Sequence, residues 1–365
     1  MRNSDNGKKN SGLIRVLEIL AVVAVFGFLG FRIGPSIIAK IRGTDSFPTD
    51  VTKFTKDINL SEDELYLKFV NSILSGENSV NVGITSQDTI DKVIYRVYDT
   101  PELFWIDNRY QITTVASYYV VNFFNVYDDI DTKKAAIDKA VSGIMKDLPK
   151  GCDFDKVLYL HDAICNMAEY DDSASNIHNI YGVFVDGKAV CEGYAKAFSY
   201  LLSEAGIENY IFSGDANNSI TNGSHAWNAA MLDGELYYFD LTWDDSEDYG
   251  ISYDYFAVTS ADINKNHYFD EYHPIMYTDA TENNYYIKKG LVLDEYSREN
   301  AAEMIASQGK DAFIKCRSIV TYQNLLSAIK NPYQFNEILT LSGVEKGDHA
   351  SYIANDNMMT IRIIL

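Results

Sequence analysis

The sequence predicts an α+β fold. An apolar period of helical spacing opens at Cys191 and closes at Gly206. Two strand-like runs, 224–232 and 235–242, are separated only by Asp233-Gly234. After residue 280 strand-like and helix-like segments alternate to the end of the chain.

The elements follow in chain order. Ser61-Glu62-Asp63-Glu64 has the form of a capping box, and Leu65, Phe69 and Ile73 recur at helical spacing up to Leu74. Segments 80–84 and 94–98 read as strands, as does 113–126 with its Tyr, Val and Phe. A helix is expected over 132–148, ending before Pro149. A second spans 154–170, with Val157, His161, Ile164, Cys165 and Ala168 on one stripe. In the C-terminal part, 285–288, 311–317 and 358–365 read as strands, and 298–307 and 322–330 as helices. The expected organisation is a tail (1–12), an apolar anchor (13–38), a linker (39–60), an N-terminal α+β extension (61–150), a core (151–280) and a small C-terminal α+β module (281–365).

Charge divides the chain. The 365 residues carry 31 Lys+Arg and 52 Asp+Glu, a net −21. Residues 1–42 hold seven of the basic residues (Arg2, Lys8, Lys9, Arg15, Arg32, Lys40, Arg42) and two of the acidic ones (Asp5, Glu18), a net +5. The remainder has 24 basic against 50 acidic residues, or −26. An acidic body excludes a generic nucleic-acid binder, because phosphate backbones need a basic face. With 47% hydrophobic residues the chain is not of the disordered class. Between Val16 and Phe31 the only charge is Glu18, and the flanks extend the apolar stretch from Leu13 to Ile38. That length suits a helix spanning the roughly 30 Å hydrocarbon layer. No small-x-small cleavage site follows the apolar core, which favours an uncleaved single-pass anchor. The expected location is the cell membrane, with the short tail inside and the acidic body extracytoplasmic.

Among the four cysteines, Cys152, Cys165 and Cys316 read as small buried hydrophobes. No C-x-x-C pair is present, so neither a structural zinc nor any other cofactor is expected. Cys191 differs because it opens a helix. The unsatisfied N–H groups and positive dipole end there favour thiolate and can hold an oxyanion. Gly193 would let a substrate backbone come close, and Glu192 would oppose the thiolate unless it points to solvent.

The Asp233-Gly234 turn fixes the register of the following hairpin, with Leu232 opposite Glu235. Extended outward, the ladder sets His225 opposite Thr242 and Trp227 opposite Asp240. His225 and Asp240 are then diagonal neighbours on one face, close enough for a carboxylate to orient an imidazole. Other candidates carry less. His161 reads as a core histidine, His178 as a loop residue near the nucleophile segment, and His267 and His273 as lacking partners at metal spacing. Asp244–Asp248 reads as a solvated acidic loop, and Trp243 as core if the strand continues.

Gly187-Lys188-Ala189-Val190-Cys191-Glu192-Gly193-Tyr194-Ala195-Lys196-Ala197-Phe198 resembles the nucleophile segment of bacterial transglutaminase-like proteins. His225-Ala226-Trp227-Asn228 resembles their histidine segment, and Tyr238-Phe239-Asp240-Leu241-Thr242-Trp243-Asp244-Asp245 their aspartate segment. The resemblance covers about 157–266. It implies a papain-like core, in which a helix carrying the cysteine packs on an antiparallel sheet carrying histidine and aspartate. By that likeness Cys191 is nucleophile, His225 general base and acid, and Asp240 the orienting residue. Gly193, Tyr194 and Trp227 are then candidates for substrate binding. Glu192 stands where animal tissue transglutaminases usually have Trp, which places the chain with the bacterial branch.

The implied chemistry is acyl transfer or hydrolysis on a protein or peptide amide through a thioester. A cell-wall-associated substrate fits an anchored enzyme, and an acidic surface favours basic or neutral substrates over anionic ones. The alternative is a catalytically inactive binding or assembly protein of the cell surface that retains the fold.

Overall fold

Ser61 caps the first helix, α1 (Glu62–Leu74), and the capping box predicted there is complete: Ser61 accepts from the Glu64 N–H while Glu64 accepts from the Ser61 N–H. Leu65, Phe69 and Ile73 are buried. The structure, a computed structural model, describes residues 60–365 apart from 84, 116–117, 218–221, 247–248 and 346–349. The expected tail and anchor, and the linker up to residue 59, lie outside the described residues. Among the described residues no helix is long and apolar enough to cross a membrane.

The N-terminal region continues with β1 (Ser79–Gly83), α2 (Gln87–Tyr98), β2 (Ile106–Val115) and β3 (Tyr118–Asn125). The strands form an antiparallel sheet of order β1-β3-β2. Two expectations fail here. The 94–98 segment is helical, because Ser86 caps the Thr89 N–H and Ile90, Val93, Ile94 and Val97 form one buried helical stripe. A five-residue window holding Ile94, Tyr95, Val97 and Tyr98, all strand-favouring residues, hides that longer period. The single run 113–126 is instead divided between β2 and β3.

Helices α3 (Ile130–Lys146) and α4 (Asp153–Met167) lead to β4 (Glu169–Tyr170), β5 (Lys188–Ala189) and α5 (Cys191–Glu204). Most of α5 is buried, including Tyr194, Ala197, Phe198, Leu201 and Leu202. Gly206 closes it at φ +74°, a left-handed residue of the kind that ends helices. Burial of each large apolar side chain of this kind contributes about 1.5–3 kcal/mol.

The main sheet contains β6 (Asn209–Asn217), β7 (Asn222–Leu232), β8 (Glu235–Phe239), β9 (Phe256–Val258) and β10 (His267–Phe269). Two short helices, α6 (Leu241–Asp244) and α7 (Ser260–Ile263), interrupt it in sequence. Its order is β10-β6-β7-β8-β9, all antiparallel. Asp233 (φ +54°) and Gly234 (φ +86°) form the predicted turn, and Leu232 pairs with Glu235. The ladder holds as far as Asn228–Phe239 and then stops. Asp240 leaves the strand to cap α6, and His225 pairs with Gly214 of β6 rather than with Thr242. Helix α5 lies on this sheet: Asn228 Nδ2 donates to Ala195 O at 2.9 Å, and the Phe198 and Phe239 rings meet edge-on at 5.6 Å.

The C-terminal part comprises α8 (Tyr285–Lys288), β11 (Val292–Leu293), α9 (Arg298–Ala306), β12 (Asp311–Cys316), α10 (Ile319–Lys330), α11 (Pro332–Ser342), β13 (Ser351–Asn355) and β14 (Thr360–Ile364). The sheet order is β11-β12-β14-β13. Its buried residues, among them Ile305, Ile314, Leu325, Ile338 and Ile363, form a cluster of their own. The 285–288 segment, expected as a strand, is helical, and Tyr285 stacks on Tyr253 at 3.8 Å. Helix α11 was not anticipated, although Asn331 caps it and Pro332 opens it. Cys165 and Cys316 are buried as expected, but Cys152 is exposed; all four cysteines are free thiols.

Candidate active site

Cys191 is the first residue of α5 and is partly exposed. Val190 precedes it in extended backbone, and no side chain caps the helix. The first N–H groups of α5 are therefore left for another acceptor. Glu192 does not stand as a free negative charge beside the thiol. Its carboxylate bonds His178 Nδ1 at 2.8 Å and Lys196 Nζ at 2.5 Å. Burial would raise its pKa, but Lys196 and His178 outweigh that and hold it down at about 2. His178 therefore serves the residue next to the cysteine and is itself a surface group.

His225 sits near the open end of β7. Its Nε2 lies 2.8 Å from Asp240 Oδ2. That bond leaves Nδ1 as the remaining ring nitrogen, and the Cys191 side chain is near enough to act on the charge of the ring. Burial alone would lower the His225 pKa. The Asp240 carboxylate, and after it the Cys191 side chain, raise it to about 10. Asp240 is itself buried, which would raise its pKa, yet His225 and His267 hold it well below the carboxylate range. The predicted His225–Asp240 contact is thus present, but through a helix cap rather than a strand pair. Asp240 Oδ1 accepts the Trp243 N–H at 3.3 Å, which orients the carboxylate from its other side.

Other expectations are corrected. Trp227 is 1% exposed and packs in the cluster beneath the site, with its ring 6.1 Å from His225. Trp243 belongs to α6, is partly exposed, and stacks on His225 at 5.2 Å and 28°. It, rather than Trp227, borders the imidazole from the open side. Tyr194 is buried, and its hydroxyl donates to Ala168 O at 3.0 Å while lying 2.6 Å from Asp245 Oδ2. Gly193 is required by the fold. A Cβ there would stand 2.4 Å from Ile177 O and 2.8 Å from the Ala189 Cβ. Asp244 is no solvated loop residue. It is fully buried, 3.3 Å from the buried His161 Nε2, and accepts from Ser252 and the Tyr255 N–H.

His267 also has a role that its local sequence does not signal. It is fully buried on β10, its Nε2 lies 3.0 Å from the same Asp240 Oδ2, and its Nδ1 lies 2.8 Å from the Asn266 side-chain amide. Burial is the leading cause that lowers its pKa, which favours a neutral ring. Donation of Nε2–H to Asp240 satisfies the carboxylate oxygen. The ligating atoms of His225, Asp240 and His267 lie within 4.8 Å of one another, so the three could meet a metal ion. Zinc–nitrogen bonds of about 2.0 Å would have to replace both short contacts to the carboxylate. Asn228 is a second residue not singled out in advance; its bond to Ala195 O ties the histidine strand to the cysteine helix. Neither position has a diagnostic spacing, since each acts through a contact with a residue far away in sequence.

Residues 139–241 match the model of the transglutaminase-like superfamily, and that stretch contains Cys191, His225 and Asp240. No curated protein sequence matches. Among solved structures, a TGase is similar at 13% identity over 46% of this chain and 52% of its own, with a TM-score of 0.28. A candidate cysteine protease from Cytophaga hutchinsonii is similar at 18% identity over 37% and 61% of the two chains, with a TM-score of 0.27. A candidate protease from Parabacteroides distasonis is similar at 11% identity over 36% and 35%, with a TM-score of 0.23. The chain spans about half the length of the TGase and about three-fifths of the Cytophaga protein.

Proposed function

We propose that the protein is a membrane-anchored, transglutaminase-like cysteine enzyme that transfers or hydrolyses acyl groups of peptide or protein amides through a thioester. The observation that carries this reading is the His225–Asp240 contact of 2.8 Å, with Cys191 at the adjoining helix start. His225 Nδ1 takes the thiol proton and the sulfur attacks the amide carbonyl. The developing oxyanion faces the uncapped N–H groups of α5. The proton then passes from His225 to the leaving amine, and a thioester to Cys191 remains. Water or a second amine resolves it, with His225 again taking the proton. Asp240 keeps the proton on Nε2 in the neutral ring and stabilises the imidazolium.

The apolar 13–38 segment supports an anchor, and a short tail ahead of a large acidic body supports an extracytoplasmic body. The acidic surface of that body supports neutral or basic substrates, such as cell-wall-associated peptides. The test is to incubate the full chain with a peptide-amide library and search by mass spectrometry for acyl adducts at Cys191. Adducts that disappear in Cys191→Ala and accumulate in His225→Ala only at high pH are expected. Turnover that survives Cys191→Ala would overturn the proposal.

A further inference from the structure

The C-terminal module meets the core at Arg362 and Phe313, and its β13–β14 turn reaches the cluster beneath the site. Met358, between β13 and β14, is fully buried. It belongs to the cluster of Phe212, Trp227, Tyr255, Val258 and Ile263, not to the module's own core. Trp227 in that cluster packs on His267 at 4.8 Å and on His225 at 6.1 Å. The two residues that flank the turn hold Asp254: Asn355 Nδ2 donates to Oδ2 at 3.0 Å and Thr360 Oγ1 to Oδ1 at 2.7 Å. Lys265 Nζ donates to Asn357 O at 2.8 Å and Lys315 Nζ to Met358 O at 3.0 Å. Asp254 immediately precedes Tyr255, and Lys265 lies two residues before His267.

From Tyr255 a buried polar chain runs to the site. The Tyr255 hydroxyl meets the Asn266 amide at 2.6 Å, Asn266 meets His267 Nδ1 at 2.8 Å, and His267 Nε2 meets Asp240 Oδ2 at 3.0 Å. Each link is buried, so breaking one leaves a polar group without water to replace its partner. Asp240 Oδ2 is shared by two imidazoles, and a shift of His267 changes the geometry available to His225.

We infer that the β13–β14 turn is a positioning element for the Cys191–His225–Asp240 site, acting through Tyr255, Asn266 and His267. His267 is then a positioning residue: it touches no substrate and holds the carboxylate that orients the base. This rests on the proposed thiol chemistry and assigns the C-terminal module a place in it.

The test is the pH profile of iodoacetamide alkylation at the Cys191 peptide, read by mass spectrometry on the full chain. Met358→Ala, Asn355→Ala and His267→Leu are each expected to slow alkylation at pH 6.5 about tenfold, the worth of one hydrogen bond or contact of about 1.4 kcal/mol. They should also change the shape of the pH profile relative to the parent chain. His267→Gln, whose amide can replace Nε2–H, should stay within about threefold of the parent. Ile338→Ala, an equally drastic truncation in the module's own core, should leave the profile unchanged while lowering the melting temperature. The inference is overturned if folded Met358→Ala and Asn355→Ala keep the parent profile, or if Ile338→Ala shifts it equally. If His225→Ala also keeps the parent profile, the thiol chemistry itself fails and not only its coupling to the turn.

Discussion

Asp240 accepts the backbone N–H of Trp243 at 3.3 Å, so the residue that orients His225 is also the cap of the short helix carrying the indole stacked on His225. One side chain thereby ends a strand, starts a helix and fixes the imidazole from two directions. The ladder cannot continue past Phe239 because the Asp240 carboxylate is committed to that cap.

Asp240→Asn keeps the size of the side chain and removes the charge. His225 loses the main interaction that raises its pKa to about 10. Its titration, followed by imidazole NMR, should move down by a unit or more, and Cys191 alkylation near neutral pH should fall about ten- to hundredfold, the range of a charged hydrogen bond. An unchanged imidazole titration would show that Asp240 does not set the ring's charge.

Gly193→Ala should destabilise the fold. Its Cβ would meet the Ile177 carbonyl oxygen at 2.4 Å, which is backbone and cannot swing aside. A loss of about 1–3 kcal/mol in urea unfolding is expected. Gly143→Ala provides the opposite sign, because it lies on the exposed face of α3 with nothing within 4 Å of the new Cβ. A gain of about 0.5–1 kcal/mol is expected there.

The buried pair His161–Asp244 should behave as a unit. His161→Phe leaves Asp244 buried and without its cation, an expected loss of about 3–5 kcal/mol. Adding Asp244→Asn should recover part of it, since Asn keeps the acceptor for Ser252 and the Tyr255 N–H. Purely additive losses in the double variant would contradict the pairing.

His273 links the end of α2 to the segment after β10, with Asp99 at 2.8 Å and Asp270 at 3.0 Å. Burial opposes its charge, but the two carboxylates raise its pKa to about 10. With an unfolded value near about 6.5, its stabilisation is complete below that pH and fades as the pH rises toward about 10. His273→Gln should therefore lower the melting temperature at pH 6 by an amount equivalent to about 2 kcal/mol, and much less at pH 10.5. An equal decrease at both values would assign the loss to packing.

The sequence carried the elements that depend on local chemistry. The Ser61 capping box, the Asp233-Gly234 turn and the Cys191 helix start each lie within a few consecutive residues. It also brought His225 and Asp240 together, although by extending a ladder that stops one residue earlier. It misplaced Trp243 for the same reason: strand alternation assigns faces only while the strand lasts. His267 and Asn228 were not legible. Their partners, Asp240 and Ala195 O, lie 27 and 33 residues away, where no periodicity reaches. The 94–98 and 285–288 segments were misread because Tyr, Ile and Val favour strands locally, whereas tertiary packing made them helical.

The most direct test of the account is the alkylation of Cys191 at pH 7 in the full chain, compared with His225→Ala. The account predicts fast labelling in the parent chain and a loss of roughly a hundredfold or more without the imidazole. A Cys191 that labels no faster than the exposed Cys152, or that is indifferent to His225→Ala, would contradict it.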